Sequence, residues 1–170
     1  MNINFFDERC QSKINSSKFG LCDEPSPSQK PAYIDTDICN EQEKWIAIVE
    51  NKTEIEIIFT AIDKCIEIKR VDGKMDSRCD GMLTYPDSII FVELKERMVE
   101  NSVWVGKGEK QLRNIISVFK KNHNVDSYKS KKAYIANNKK PNFQSSQINR
   151  MEKFKDDTGF RLRIENTIKI

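Results

Sequence analysis

Hydrophobic residues along this chain fall into short blocks, and the period within each block predicts the element it forms. The first 35 residues show no clear periodic element. Within them DEPSPSQKP (23–31), with three prolines and two serines, predicts an extended linker. Residues 1–35 therefore read as an arm or accessory segment that docks on the domain or on a partner, and 36–170 as the domain itself. Residues 40–51 are ambiguous: the front half is charged like a helix start, whereas Trp45 to Val49 has the look of a short strand. Thr53 can cap a helix whose first turn carries Glu54 and Glu56, as the dipole prefers. Ile55, Ile58, Phe59, Ile62 and Ile66 follow at helical spacing. The β-branched content leaves open a strand running into a short helix.

Alternation resumes at 66–71 (IEIKRV), which predicts a strand, and Asp72-Gly73-Lys74 is a turn signal. Two further strands, 77–85 and 88–96, flank Pro86-Asp87, a good hairpin connection. The second has a continuous apolar run and should be central, covered on both faces. Gly106 and Gly108 open a helix through Asn122, with Leu112, Ile115, Ile116 and Phe119 as its apolar stripe. A strand at 131–137, a helix from about Gln147 to Lys155 ending at Gly159, and a closing strand in FRLRIENTIKI complete the chain. This order predicts an α/β sandwich with a mixed central sheet flanked by helices.

Composition narrows the function classes. A chain of 170 residues suffices for one core, and 32% charged with 38% hydrophobic residues is the balance of a globular protein. No apolar run approaches the roughly 18 residues of a membrane span, and MNINFFDERC lacks the pattern of a secretory leader, so no membrane role and a cytoplasmic location are expected. The net charge of +3 is mild for a nonspecific nucleic-acid coat. Lys120, Lys121, Lys129, Lys131, Lys132, Lys139 and Lys140 form a basic run that reads equally as a solvated surface or a phosphate-contacting one. Five scattered cysteines and one histidine make structural zinc improbable. Cys65 and Cys79, among apolar residues, read as buried thiols. A catalytic metal would need oxygen ligands, which suits magnesium or manganese.

The chemistry concentrates in the predicted hairpin. A turn centred on Pro86-Asp87 sets Thr84 against Ile89 and Asp80 against Glu93, with β-carbons about 4.5–5.5 Å apart. Lys95, two residues beyond Glu93, projects from the same face. Two buried carboxylates at that distance repel, and a proton or cation must relieve them. The chain holds three other E-x-K or D-x-K triplets (50–52, 67–69 and 72–74); Glu67 has no room for a hairpin partner upstream, and Asp72 sits in a turn. The alternative for Glu93 and Lys95 is a plain salt bridge on a sheet face.

CDG (79–81) followed by VELK (92–95) resembles the PD-(D/E)-x-K nuclease superfamily, the restriction-endonuclease-like fold, over roughly residues 40–137. Cys79 stands where the motif has proline, a position where proline is often absent in the family. The resemblance implies Asp80 and Glu93 as metal ligands, the main-chain carbonyl of Leu94 as a third, and Lys95 as the residue that positions water and stabilises charge. Gln111 occupies the place of a helix glutamine found in many members, though an exposed helix residue is an equal reading. An acid on the first helix often completes the family site, and Glu43, Glu54 and Asp63 are candidates. The implied activity is Mg2+- or Mn2+-dependent hydrolysis of phosphodiester bonds in DNA. A structure-specific junction nuclease and a non-catalytic DNA- or protein-binding module on the same fold are the alternatives. A protein partner or a homodimer would fit either.

Overall fold

The computed structural model describes residues 2–96, 103–139 and 147–170; Lys140 of the basic run lies outside them. The chain forms a mixed α/β structure in three layers. Strands β1 (Gln11–Ile14), β2 (Lys18–Cys22), β3 (Tyr33–Asp35), β4 (Ala47–Glu50), β5 (Ile57–Ala61), β6 (Gly81–Tyr85) and β7 (Ser88–Lys95) precede helix α1 (Val103–Asn122). Then follow β8 (Ser130–Asn137), helix α2 (Ile148–Thr158), β9 (Arg161–Arg163) and β10 (Thr167–Lys169). A six-stranded mixed sheet has the order β1-β5-β6-β7-β8-β9, and a four-stranded mixed sheet the order β10-β4-β2-β3.

The six-stranded sheet is the middle layer. Met82, Ile89, Phe91, Ala133 and Ile135 on one face pack with Leu112, Ile115, Ile116 and Phe119 of α1 and Phe154 of α2. Leu83, Ile90, Val92 and Leu94 on the other face pack with Phe19, Leu21, Ala47 and Val49 of the smaller sheet. β7 is buried from Ser88 through Leu94, as its unbroken apolar run predicts for a strand covered on both sides. The close fit of α1 to the sheet depends on Gly108, whose missing side chain would come within 3.1 Å of Ile135. α2 ends at Gly159 in the left-handed conformation, with its amide bonded to Lys155 O.

Several expectations are corrected. The helix expected at 53–66 is instead strand β5 followed by a turn. Ile55, Ile57 and Phe59 alternate towards the smaller sheet, whereas Ile62 and Ile66 enter the helix-side core. Apolar residues serving two layers in succession imitate a helical period. The strand expected at 66–71 shows only a bridge between Lys69 and Met75, in a projecting hairpin whose tip exposes Val71 fully. The closing strand is two: β9 extends the large sheet, and β10 crosses to pair in parallel with β4.

Residues 1–35 do not hang free as an arm. β1 forms an edge of the large sheet against β5, and β2 and β3 build the smaller one. Phe5 is fully buried, edge-on to Phe119 at 5.2 Å. The proline-rich 23–31 segment is the connection between β2 and β3 rather than a linker. Cys10, just before β1, and Cys65, in the turn after β5, are joined by a disulfide, so Cys65 is not a free thiol. Cys79 is free and buried, as expected.

The basic run splits. Lys129 precedes β8, and Lys131 and Lys132 lie in its first half, at the end of the sheet away from Lys95, where Lys129 pairs with Asp87 at 2.8 Å. Among the described residues, no helix is long and apolar enough to cross a membrane.

Candidate active site

The hairpin register is the expected one: Thr84 faces Ile89, and the ladder runs to Gly81 opposite Val92. There the strands part. β7 continues to Lys95, while the amide of Ile62 donates to Asp80 O at 2.9 Å and draws the chain towards β5. Gly81 permits this departure, because a β-carbon there would lie 2.5 Å from the Phe59 ring and 2.9 Å from Thr60 O. Asp80, one step past the last rung, uses its side chain to close the gap: Leu94 N–H donates to Asp80 Oδ2 at 2.6 Å. An extended residue directs its N–H and C=O to the same edge, so the Leu94 carbonyl also faces the Asp80 side of β7.

Glu93 and Lys95 stand on the α1 side. Lys95 Nζ contacts Glu93 Oε1 at 2.6 Å and donates to Gln111 Oε1 at 2.8 Å. Gln111 in turn donates through Nε2 to Arg78 O at 3.0 Å, and Asn114, one turn later on α1, donates to Ser77 O. One helix face therefore fixes both the lysine and the segment leading into Asp80. Gln111 is tied into the site, not an exposed helix residue.

Both acids are buried, Asp80 at 9% exposure and Glu93 at 2%. Burial pushes the Asp80 carboxyl up to about 7 against the opposing pull of the Leu94 amide, and the Asp23 charge raises it further. Burial and the Asp80 charge lift Glu93 well above the usual carboxylate range, outweighing Lys95. Glu93 Oε2 is buried with no hydrogen-bond partner among the described residues. A buried carboxylate oxygen in that condition calls for a proton or a cation.

This has a consequence for stability in the absence of cation. The native Asp80 carboxyl binds its proton up to about pH 7, whereas the unfolded one releases it near pH 4. The native state thus holds more protons in that window, and stability falls as pH rises through it, by on the order of 4 kcal/mol. Asp80→Asn keeps an acceptor for Leu94 N–H and removes the titration. Its melting temperature is expected to match wild type near pH 4.5 and to exceed it at pH 7.5, with chelator present. A difference between the two that stays constant across this range would show that Asp80 does not titrate this way.

The site opens into a cavity of about 410 Å³ whose walls include Asp23, Lys64, Asp80, Glu93, Leu94 and Lys95. Of the three further acids considered, Glu43 and Glu54 are exposed and do not line it. Asp63 does not line it either, yet its charge acts on both Asp80 and Glu93 while it pairs with Arg78 at 2.8 Å. Glu24 and Glu96 line the cavity, and so does Asp23, half-buried just past β2 and paired with Lys64. It sits in the stretch that proline content marks as linker, and its only sequence signal is an acid at the end of an apolar block. Among the described residues, no group of three or more His, Cys, Asp or Glu side chains is close enough to hold a metal ion on its own. His123, the single histidine, packs against Phe5, Phe6 and Phe119.

Compared with known proteins, the chain matches no family model, no curated protein and no solved structure.

Proposed function

We propose that this chain is a nuclease that uses a divalent cation, Mg2+ or Mn2+, to hydrolyse phosphodiester bonds in DNA, on the PD-(D/E)-x-K, restriction-endonuclease-like plan. The observation that carries the reading is Glu93 Oε2, buried and unpartnered beside a second buried carboxylate on Asp80. Two carboxylates and the Leu94 carbonyl are too few to cage a cation, but magnesium is commonly held by one or two carboxylates with waters and substrate phosphates filling the rest. The donor set fits an ion bound together with its substrate. The mixed sheet with α1 following β7 supports the same plan.

When bound, the cation draws charge from the phosphate oxygens and lowers the pKa of the attacking water. The chain's own residues do the remaining work. Asp80 and Glu93 supply the negative charge that holds the ion, and the Leu94 amide fixes the Asp80 carboxylate. Lys95 spends two of its three ammonium donors on Glu93 and Gln111, leaving one for the water or a phosphate oxygen. Gln111 is a positioning residue: it holds Lys95 and the Arg78 carbonyl at once.

The test is cleavage of plasmid, linear, single-stranded and branched DNA, and of RNA, with magnesium or manganese. Cleavage of DNA is expected, lost with chelator and lost in Asp80→Ala and Glu93→Ala variants that still fold. The cation should also raise the melting temperature, by about 2.7 kcal/mol of stability at 100 times its dissociation constant. Preference for branched DNA would identify a junction nuclease. No cleavage, with melting indifferent to the ion both alone and with DNA, would leave a non-catalytic binding module on this fold.

A further inference from the structure

We infer that Lys64, which lines the same cavity as Lys95, is a second substrate-binding cation that grips a DNA phosphate next to the scissile one. This rests on the nuclease reading above and adds a residue that the hairpin motif does not contain.

Lys64 lies in the turn after β5, and three features of that turn bear on its role. Its backbone sits at φ +62°, in the left-handed region that disfavours a side chain and that glycine or asparagine would occupy more easily. A lysine held there retains a strained conformation, and such positions concentrate at functional sites. The turn is also rigid. Ile66 N bonds to Ile62 O at 2.9 Å, Ile62 is fully buried and bonded to Asp80 O, and Cys65 is tied to Cys10 by the disulfide. A cation launched from so fixed a base is well placed to orient a ligand.

The side chain, moreover, is 23% exposed and lines the same cavity as Asp80 and Glu93. Its ion-pair partner, Asp23, is 3.7 Å away, longer than a hydrogen bond. At most one of its three ammonium donors faces Asp23, which leaves the others for a ligand. Lys95, by contrast, holds Glu93 and Gln111 and has one donor left, for the water or the scissile phosphate. A DNA strand entering the cavity carries more than one phosphate, and Lys64 is a second cation lining it that can meet the next.

The test compares wild type with Lys64→Gly, Lys64→Ala and Lys64→Arg in steady-state cleavage of DNA at several salt concentrations, with thermal melting of each. Lys64→Gly relieves the left-handed strain, so its melting temperature is expected to equal or exceed that of wild type. Its KM is expected to rise about tenfold, the loss of one charge-assisted contact, with a smaller change in kcat. The dependence of log KM on log salt concentration should lose about 0.9 in slope, one phosphate contact. Lys64→Ala should behave alike in KM, and Lys64→Arg should stay close to wild type. A merely structural Lys64 would change melting and leave the salt slope alone. An active wild type whose Gly and Ala variants keep the same KM and slope overturns the inference and leaves the nuclease reading standing. A wild type that cleaves no nucleic acid overturns both.

Discussion

Lys95→Ala should still fold and bind the cation, yet cleave DNA on the order of a hundredfold to a thousandfold more slowly, about 3–4 kcal/mol of lost transition-state stabilisation. The magnitude follows from where the ammonium is held. It is 14% exposed, fixed at 2.6 Å from Glu93 and 2.8 Å from Gln111, so it meets the reacting centre already oriented and largely out of water. Lys95→Arg should not restore the rate. The guanidinium is planar and broader, and in the space between Glu93 and Gln111 it cannot present a compact ammonium donor to the same point. Single-turnover cleavage beside cation titrations reads the two effects separately. Normal cation affinity with lost chemistry supports the role; an arginine variant with full activity would show that Lys95 only neutralises Glu93.

Removing the disulfide should cost nearly as much, in stability rather than rate. Cys10 and Cys65 are 55 residues apart in sequence with Cα atoms 5.9 Å apart. Closing a loop of that length removes denatured-state entropy worth about 4 kcal/mol on the chain-entropy account. The bond also fastens the N-terminal segment, with its buried Phe5, to the turn that carries Lys64. Cys10→Ser with Cys65→Ser is expected to lower the unfolding free energy by about 2–4 kcal/mol in urea. Reductant should shift wild type by a similar amount and leave the double variant where it was. A wild-type midpoint that ignores reductant would show the two thiols unpaired in solution.

The hairpin and its acids were legible from residue order alone. A two-residue turn at Pro86-Asp87 leaves one register, and register is arithmetic: the ladder ends at Gly81 opposite Val92, one step short of Asp80 and Glu93, and alternation along β7 puts Lys95 on the Glu93 face. The unbroken apolar run of β7 and the stripe of α1 marked a covered strand and a one-sided helix by composition and period. Other features depend on contacts between distant segments, which leave no local signal. β1, β2 and β3 are only three to five residues long, too short to display a period, and their buried positions become intelligible once the two sheets are stacked. β5 and its turn serve opposite layers in succession, so their apolar spacing matched a helix. Cys10 found Cys65, and Asp23 and Lys64 reached the cavity, because folding brings together chain segments well separated in sequence. Local chemistry could therefore identify the carboxylate pair, while the further acids of the cavity, Lys64 and the covalent tie came from tertiary packing, since proximity across a sheet is a property of the assembled layers.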